Sequence, residues 1–344
     1  MKVYFSDRHV GHDPSFFLVR GERQPSAEQP ARADVLLDAV RRAGLVVEGP
    51  GDFGIGPIAA IHTPEYLEFL QTANHEWRKL PGASTEVIPN IHPGRRPATY
   101  PAGIVGRAGW HQADTACPIG ENTWDAAYHG AQVALTAADA VLGGAGEAYA
   151  LCRPPGHHAF SDMAGGFCFL NNTAIAAQHL RGRHERVAIL DVDVHHGNGT
   201  QGVFYRRADV LTISIHANPD HYYPYFWGHA QERGEGPGEG FNLNLPLALG
   251  SEDVHWHAAA QRAFERIAAF GPTALVVALG LDASESDPLQ GLRVTTEGFT
   301  TMARRIGALG LPTVLVQEGG YLGPALGENL GAFITGFEAG RLGG

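Results

Sequence analysis

Cysteine is scarce in this chain of 344 residues. Cys117, Cys152 and Cys168 show neither the paired spacing of a structural zinc site nor the even count of a disulfide framework. No apolar run approaches the roughly 20 residues that cross a bilayer. The opening Met1-Lys-Val-Tyr-Phe-Ser6 reads as the start of a strand and lacks the form of a signal peptide. A cytoplasmic protein with no membrane partner is expected. Positive charge is also in deficit: 25 Lys and Arg against 36 Asp and Glu give a formal net charge of −11. That argues against nucleic acid, whose phosphates require a basic face. The same charge would draw in a small cationic substrate at long range, although an acidic, soluble surface is the simpler explanation. Linkers of the Gly/Ser, Pro-run or charge-block kind are missing, as are internal repeats. One domain over residues 1–344 is expected, even though length alone admits two.

What is present is an alternation. Apolar, β-branched runs at Lys2–Phe5, Glu147–Leu151, Val187–Asp191, Val210–Ile215, Leu275–Leu279 and Thr313–Val316 read as strands buried on both faces of a parallel sheet. Helix-period segments lie between them at Ala31–Ala43, Thr63–Ala73, Thr123–Leu142, Asn172–Leu180, Asp253–Phe270 and Thr296–Leu309. Ser251 and Thr295 are placed to cap two of these helices, and Thr63-Pro64 puts proline at the first helical position of another. The pattern predicts an α/β fold, a mostly parallel central sheet with helices on both faces. Its site is expected outside the carboxyl ends of the strands. From about His75 to Asn122 neither period persists, and prolines recur at 81, 89, 93, 97, 101 and 118. This stretch is expected to be an ordered excursion that rims the site or meets a second subunit.

Four strand ends carry chemistry. Asp191, Asp193 and His195 share one face of an extended segment. Asp193 and His195, joined by Asp282 after another strand, make an oxygen- and nitrogen-rich ligand set with an open position, as catalytic zinc or iron sites have. Asp191 is available to orient an imidazole from behind. The adjacent His157 and His158 sit in a rigid Pro/Gly turn and suit proton transfer. In Gly319-Gly320-Tyr321, two glycines let a phenol swing inward, where it can donate to a developing oxyanion. Each motif alone reads as ordinary caps and turns. Together they suit amide hydrolysis by metal-activated water. A serine mechanism lacks its Gly-x-Ser-x-Gly signature, and Cys152 reads as a packed thiol.

Five ordered motifs resemble the histone deacetylase superfamily, in its bacterial acetylpolyamine amidohydrolase-like branch. They are Arg153-Pro-Pro-Gly-His-His-Ala159, Gly165-Gly-Phe-Cys-Phe-Leu-Asn-Asn172, Asp191-Val-Asp-Val-His-His-Gly-Asn-Gly-Thr-Gln201, Gly280-Leu-Asp-Ala-Ser-Glu-Ser-Asp-Pro288 and Glu318-Gly-Gly-Tyr321. The resemblance implies the arginase/deacetylase fold and zinc-dependent deacylation of a small acylated amine, with iron(II) as the alternative metal. By position it implies metal ligands at Asp193, His195 and Asp282, and a general base at His158 backed by Asn198. It also implies a charge-stabilising His157 backed by Asp191, and an oxyanion donor at Tyr321. Phe167 and Tyr223 match the aromatic walls of the acyl channel, where the family usually has phenylalanine at the second place; Gly166 and Asp114 join them as substrate-binding positions. A structural potassium ion is implied at Asp191, Ser214 and the main chain near Asp193 and His195. The 75–122 excursion resembles a loop that narrows the entrance and helps form a homodimer. Acidic residues near the end of that loop bear on polyamine selectivity. Asp114 and Glu121 are available there, whereas Val105 falls where one such acid would stand.

Other readings stay open from sequence: deacetylation of protein or peptide lysines, an arginase-like ureohydrolase, and a module that binds acylated amines without turnover. The ureohydrolase would need further bridging aspartates. The binding module would fit a chain that had lost a ligand, His158 or Tyr321.

Overall fold

The structure, a computed structural model, describes residues 1–94 and 98–343. Pro97, one of the prolines noted in the excursion, lies outside the described residues. The strands are β1 (Lys2–Tyr4), β2 (Phe16–Val19), β3 (Glu22–Pro25), β4 (Val46–Glu48), β5 (Glu147–Ala150), β6 (Val187–Asp191), β7 (Val210–Ala217), β8 (Asn242–Leu247), β9 (Ala274–Leu279) and β10 (Thr313–Gln317). The helices are α1 (Ala31–Arg42), α2 (Gly56–Ala59), α3 (Pro64–Trp77), α4 (Ile104–His111), α5 (Thr123–Leu142), α6 (Asn172–Leu180), α7 (Asn198–Phe204), α8 (Asp253–Phe270), α9 (Thr296–Gly307) and α10 (Leu326–Gly343).

Eight strands form one sheet in the order β4-β1-β5-β10-β9-β6-β7-β8, and every pairing in it is parallel. The strands are apolar on both faces because both faces are covered. Leu275, Val277 and Leu279 of β9 pack with Leu36 of α1, Trp256 of α8, Phe299 of α9 and Phe333 of α10. Ala274 and Val276 of the same strand face Phe69 of α3, Leu135 of α5 and Ile175 of α6. The expected α/β fold is what the chain adopts. The strands β5, β10, β9 and β6, whose ends hold the four chemical motifs, are immediate neighbours. That adjacency is why motifs spread over residues 153–321 can meet.

Several local expectations differ from the structure. The 75–122 excursion is not free of regular structure: α3 runs through His75 to Trp77, α4 spans Ile104–His111, and Val87 bridges Ile119. With two glycines in eight residues, α4 is too short to leave a period in the sequence. Thr295 caps α9 as expected, accepting the Gly298 N–H. The cap of α8, however, is Glu252 and not Ser251: Glu252 and His255 form a reciprocal capping box. Strands β4 and β8, the hairpin β2–β3 and helix α10 were not anticipated.

Candidate metal and acid–base site

The site is built on the strand ends by carboxylates that grip backbone N–H groups. Asp193 Oδ2 accepts from Gly319 N at 2.8 Å, tying the end of β6 to the end of β10. Asp282 Oδ1 accepts from Val194 N at 2.9 Å, tying β9 to β6. Glu318 Oε2 accepts from Gly156 and His157 N at 2.6 and 3.0 Å, and its other oxygen accepts the Thr173 hydroxyl at 2.6 Å. The Pro-Gly-His-His turn is thereby fixed to β10. Gly319 is required for close approach, since a Cβ there would collide with the carboxylates of Asp282 and Asp193.

Asp193, His195 and Asp282 converge, with ligand atoms within 4.8 Å of one another. His195 Nδ1 lies 3.1 Å from an oxygen of each carboxylate. Burial and the neighbouring Asp193 push the Asp282 carboxyl up. Burial acts the same way on Asp193, but His157 and His195 outweigh it and hold that group well below the usual carboxylate range. Against its own burial, the two carboxylates push His195 up to about 9. Among the described residues no Lys or Arg bonds to either carboxylate. Two convergent buried carboxylates and an imidazole, with no Lys or Arg bonded to them among the described residues, are a donor set that fits a divalent cation. A second cluster, His157, Cys168 and Glu318, is equally tight. Its donors are already committed, with Glu318 to Thr173 and two backbone N–H groups and His157 to Asp191. It carries no metal argument.

The paired histidines face different partners. Their rings lie 4.0 Å apart. His157 Nδ1 meets Asp191 Oδ2 at 2.9 Å. Burial pulls this imidazole down, yet Asp193 and Asp191 outweigh it and push it up to about 10. His158 Nδ1 meets the neutral Asn198 Oδ1 at 2.7 Å. Burial and the charges of His157 and His195 hold it well below the ordinary range. The carboxylate behind His157 favours its charged form and the neutral amide behind His158 does not, so the two rings are biased in opposite directions. Because Asn198 Oδ1 accepts from Nδ1–H, the basic lone pair of His158 is at Nε2.

Tyr321 is buried with its ring 5.7 Å from that of Phe167. Burial pushes its phenol well above the usual value, so it stays a donor. Its N–H is held by Asp287 Oδ2 at 2.9 Å, and the Arg32 guanidinium lies 4.7 Å over its ring. Arg32 also donates to the carbonyls of Glu318 and Gly320, while Glu28 joins it to Arg153. Sequence reasoning missed Arg32, Glu28, Asp287 and Tyr222, whose ring stacks on His195 at 5.0 Å. The Tyr222-Tyr223 doublet was a usable signal for Tyr222; a charged residue on a helix gives none.

Of the wall positions, Tyr223 meets His158 edge-on at 4.9 Å, and Asp114 Oδ2 accepts from Gly166 N at 3.1 Å. Phe167 packs on Phe17 at 5.4 Å. Ser214 on β7 stands in register with Asp191 on β6. Glu121 is elsewhere: it is exposed beside Arg78 at 3.6 Å. It rims a cavity of about 280 Å³ that includes Asp13 and Glu86 and none of the catalytic candidates. Val105 is exposed on α4.

The family model for the histone deacetylase domain matches residues 26–337. The acetylpolyamine amidohydrolase of Burkholderia pseudomallei is 48% identical over 98% of this chain and 99% of its own. Acetylpolyamine amidohydrolase 1 of Pseudomonas aeruginosa is 48% identical over the same shares. A crystal structure of the B. pseudomallei acetylpolyamine aminohydrolase superposes with a TM-score of 0.95, covering 98% of this chain and 99% of that one. No helix among the described residues is long and apolar enough to cross a membrane. The chain belongs to the histone deacetylase family, and with it to the amidohydrolases.

Proposed function

We propose that this protein hydrolyses the amide of small acetylated amines, of the acetylpolyamine or acetyl-lysine kind, to free amine and acetate. The observation that carries the reading is the split of the histidine pair. One imidazole is bonded to a buried carboxylate and its neighbour to a neutral amide, side by side against a ligand set that fits a divalent metal.

Asp193, His195 and Asp282 would hold the metal, zinc or iron(II), which when bound supplies Lewis acidity that activates water and polarises a carbonyl. His158 takes the proton of the attacking water at Nε2 and returns it to the departing amine nitrogen. His157, bonded to Asp191, would in its charged form offset the negative charge that develops on the former carbonyl oxygen. Tyr321 donates its O–H to that same oxygen. Asp191 and Ser214 on adjacent strands, with the carbonyls of Asp193 and His195, suit a structural potassium ion. Those two carbonyls accept no backbone hydrogen bond among the described residues. One catalytic domain over residues 1–344, a homodimer formed through the 75–122 loop, and a cytoplasmic setting complete the reading. Three buried free thiols suit a reducing compartment.

The test is turnover by metal-reconstituted protein of acetylputrescine, acetylcadaverine, acetylspermidine and a fluorogenic acetyl-lysine peptide. Cleavage of the small amines ahead of the peptide supports the proposal. Preference for the peptide moves the substrate class to protein lysines, and no cleavage of any of them sinks it.

A further inference from the structure

We infer that the Tyr223 hydroxyl and the Asp114 carboxylate form a latch that sets the bore of the substrate tunnel, so that this pair determines the size of acyl group admitted. The inference rests on the amidohydrolase reading above and assigns a specificity role within it.

Three segments distant in sequence meet at one carboxylate. Tyr223 donates its O–H to Asp114 Oδ2 at 2.7 Å. The same oxygen accepts the Gly166 N–H at 3.1 Å, and Oδ1 accepts the Ala116 N–H at 2.8 Å. The loop after α4, the Gly165–Phe167 turn and the segment after β7 are thus joined beside the base. The glycines make the closeness possible. A Cβ on Gly166 would lie 2.5 Å from His158 Cδ2 and 2.8 Å from the Tyr223 hydroxyl, and one on Gly165 would lie 3.3 Å from Asp114 Oδ2. Gly166 also takes φ +51°, in the left-handed region. The phenol ring therefore lies flush on a glycine backbone, with its edge toward His158.

The ring packs against His158 and His195 on one side, while Tyr225 and Phe226 beyond it are 52% and 68% exposed and Tyr223 itself is only partly buried. The bond at its far end adds a polar anchor to that packing. Phe167, the other aromatic expected to wall the channel, has no polar anchor; its ring packs with those of Phe17 and Tyr321. In the proposed channel one wall is therefore held by packing and the other by packing and a hydrogen bond. Releasing the second would widen the space beside His158 and admit branched or longer acyl groups.

The experiment is a double-mutant cycle of Tyr223→Phe and Asp114→Ala in metal-loaded protein, with matched metal content. It is read as the ratio of kcat/KM for N-acetyl over N-isobutyryl forms of one amine. Because one methylene in an apolar pocket is worth roughly 10–200-fold in discrimination, each single change is expected to lower the ratio about tenfold. The double variant should lower it no further. Asp114→Asn, which keeps a carbonyl oxygen for the phenol, should retain most of the discrimination. A ratio unchanged while both turnovers fall together would overturn the specificity role. The same cycle in urea midpoints needs no activity: shifts that do not add support the latch, and shifts that add overturn it. Wild-type protein that cleaves neither amide would overturn the amidohydrolase reading and the acyl-size role together, and the urea cycle would still report on the bond itself.

Discussion

The floor of the site and its entrance are built by different means. On the floor, Asp193, Asp282 and Glu318 are fully buried, and each anchors to a backbone N–H of a neighbouring strand end. At the proposed entrance, Phe17, Asp114 and Tyr223 are half-buried loop and hairpin residues, held by ring packing and by one carboxylate that bonds loop to loop. The floor inherits the rigidity of four adjacent parallel strands, whereas the entrance depends on a few bonds between loops. Reacting groups placed on a sheet can be held to fractions of an ångström, and loops can change what is admitted without disturbing them.

That contrast can be broken most directly at the floor. Asp282→Asn is expected to strip the metal and abolish turnover, because it removes one of two carboxylates; elemental analysis beside an activity assay checks both. Retained metal with full activity would show that the floor is not the ligand set. Tyr321→Phe should keep the metal and lose roughly 10²–10³ in kcat if the phenol is the oxyanion donor. An unchanged kcat would discard that role. Asn198→Asp sharpens the comparison between the two histidines. His158 is held low, so activity should persist down to a pH below the ordinary histidine range and fall as His158 takes up its proton. A carboxylate in place of Asn198 favours the protonated form, so the acid limb of the kcat/KM profile should move to higher pH. A limb that stays put would remove His158 as the titrating base. The smallest effect is expected outside both regions. Glu121→Gln, at an exposed ion pair, should change stability by no more than about 0.5 kcal/mol and leave the KM for a cationic amine near that of the wild type. A large rise in KM would bring the cavity beside Glu121 into the substrate path.

The same division governs what the sequence made legible. Asp191, Asp193 and His195 were readable because an extended chain puts alternate residues on one side, and the Pro-Gly-His-His turn because its glycine and prolines mark it. The strand order that brings these ends together is a long-range fact, and only the layered alternation hinted at it. The entrance was harder: α4 is short and glycine-bearing, and the Tyr223–Asp114 bond spans 109 residues. Arg32 could not be found at all, since a helical arginine reads as solvent-facing until Glu28 and two carbonyls of the last strand-end turn are seen around it. Helix α10 hid for a different reason. Gly336 and Gly340 lie where a Cβ would strike the backbone of α9 at Thr300 and Arg304. The glycines that let the two helices approach also weaken the apolar period that would announce the helix.

The grip of Arg32 on the carbonyls of Glu318 and Gly320 reaches across 286 and 288 positions of the chain. Contacts of such separation form late, after the closure entropy of the intervening chain has been overcome. On a ribosome the tyrosine turn emerges 286 to 288 positions after Arg32 does, so the guanidinium waits through that whole stretch of synthesis for its partners. Because β10 fills the gap between β5 and β9 and α10 covers one face of the sheet, the nascent polypeptide is expected to complete its two apolar layers only when this segment emerges, and fragments lacking the C-terminal 30 residues should be inert.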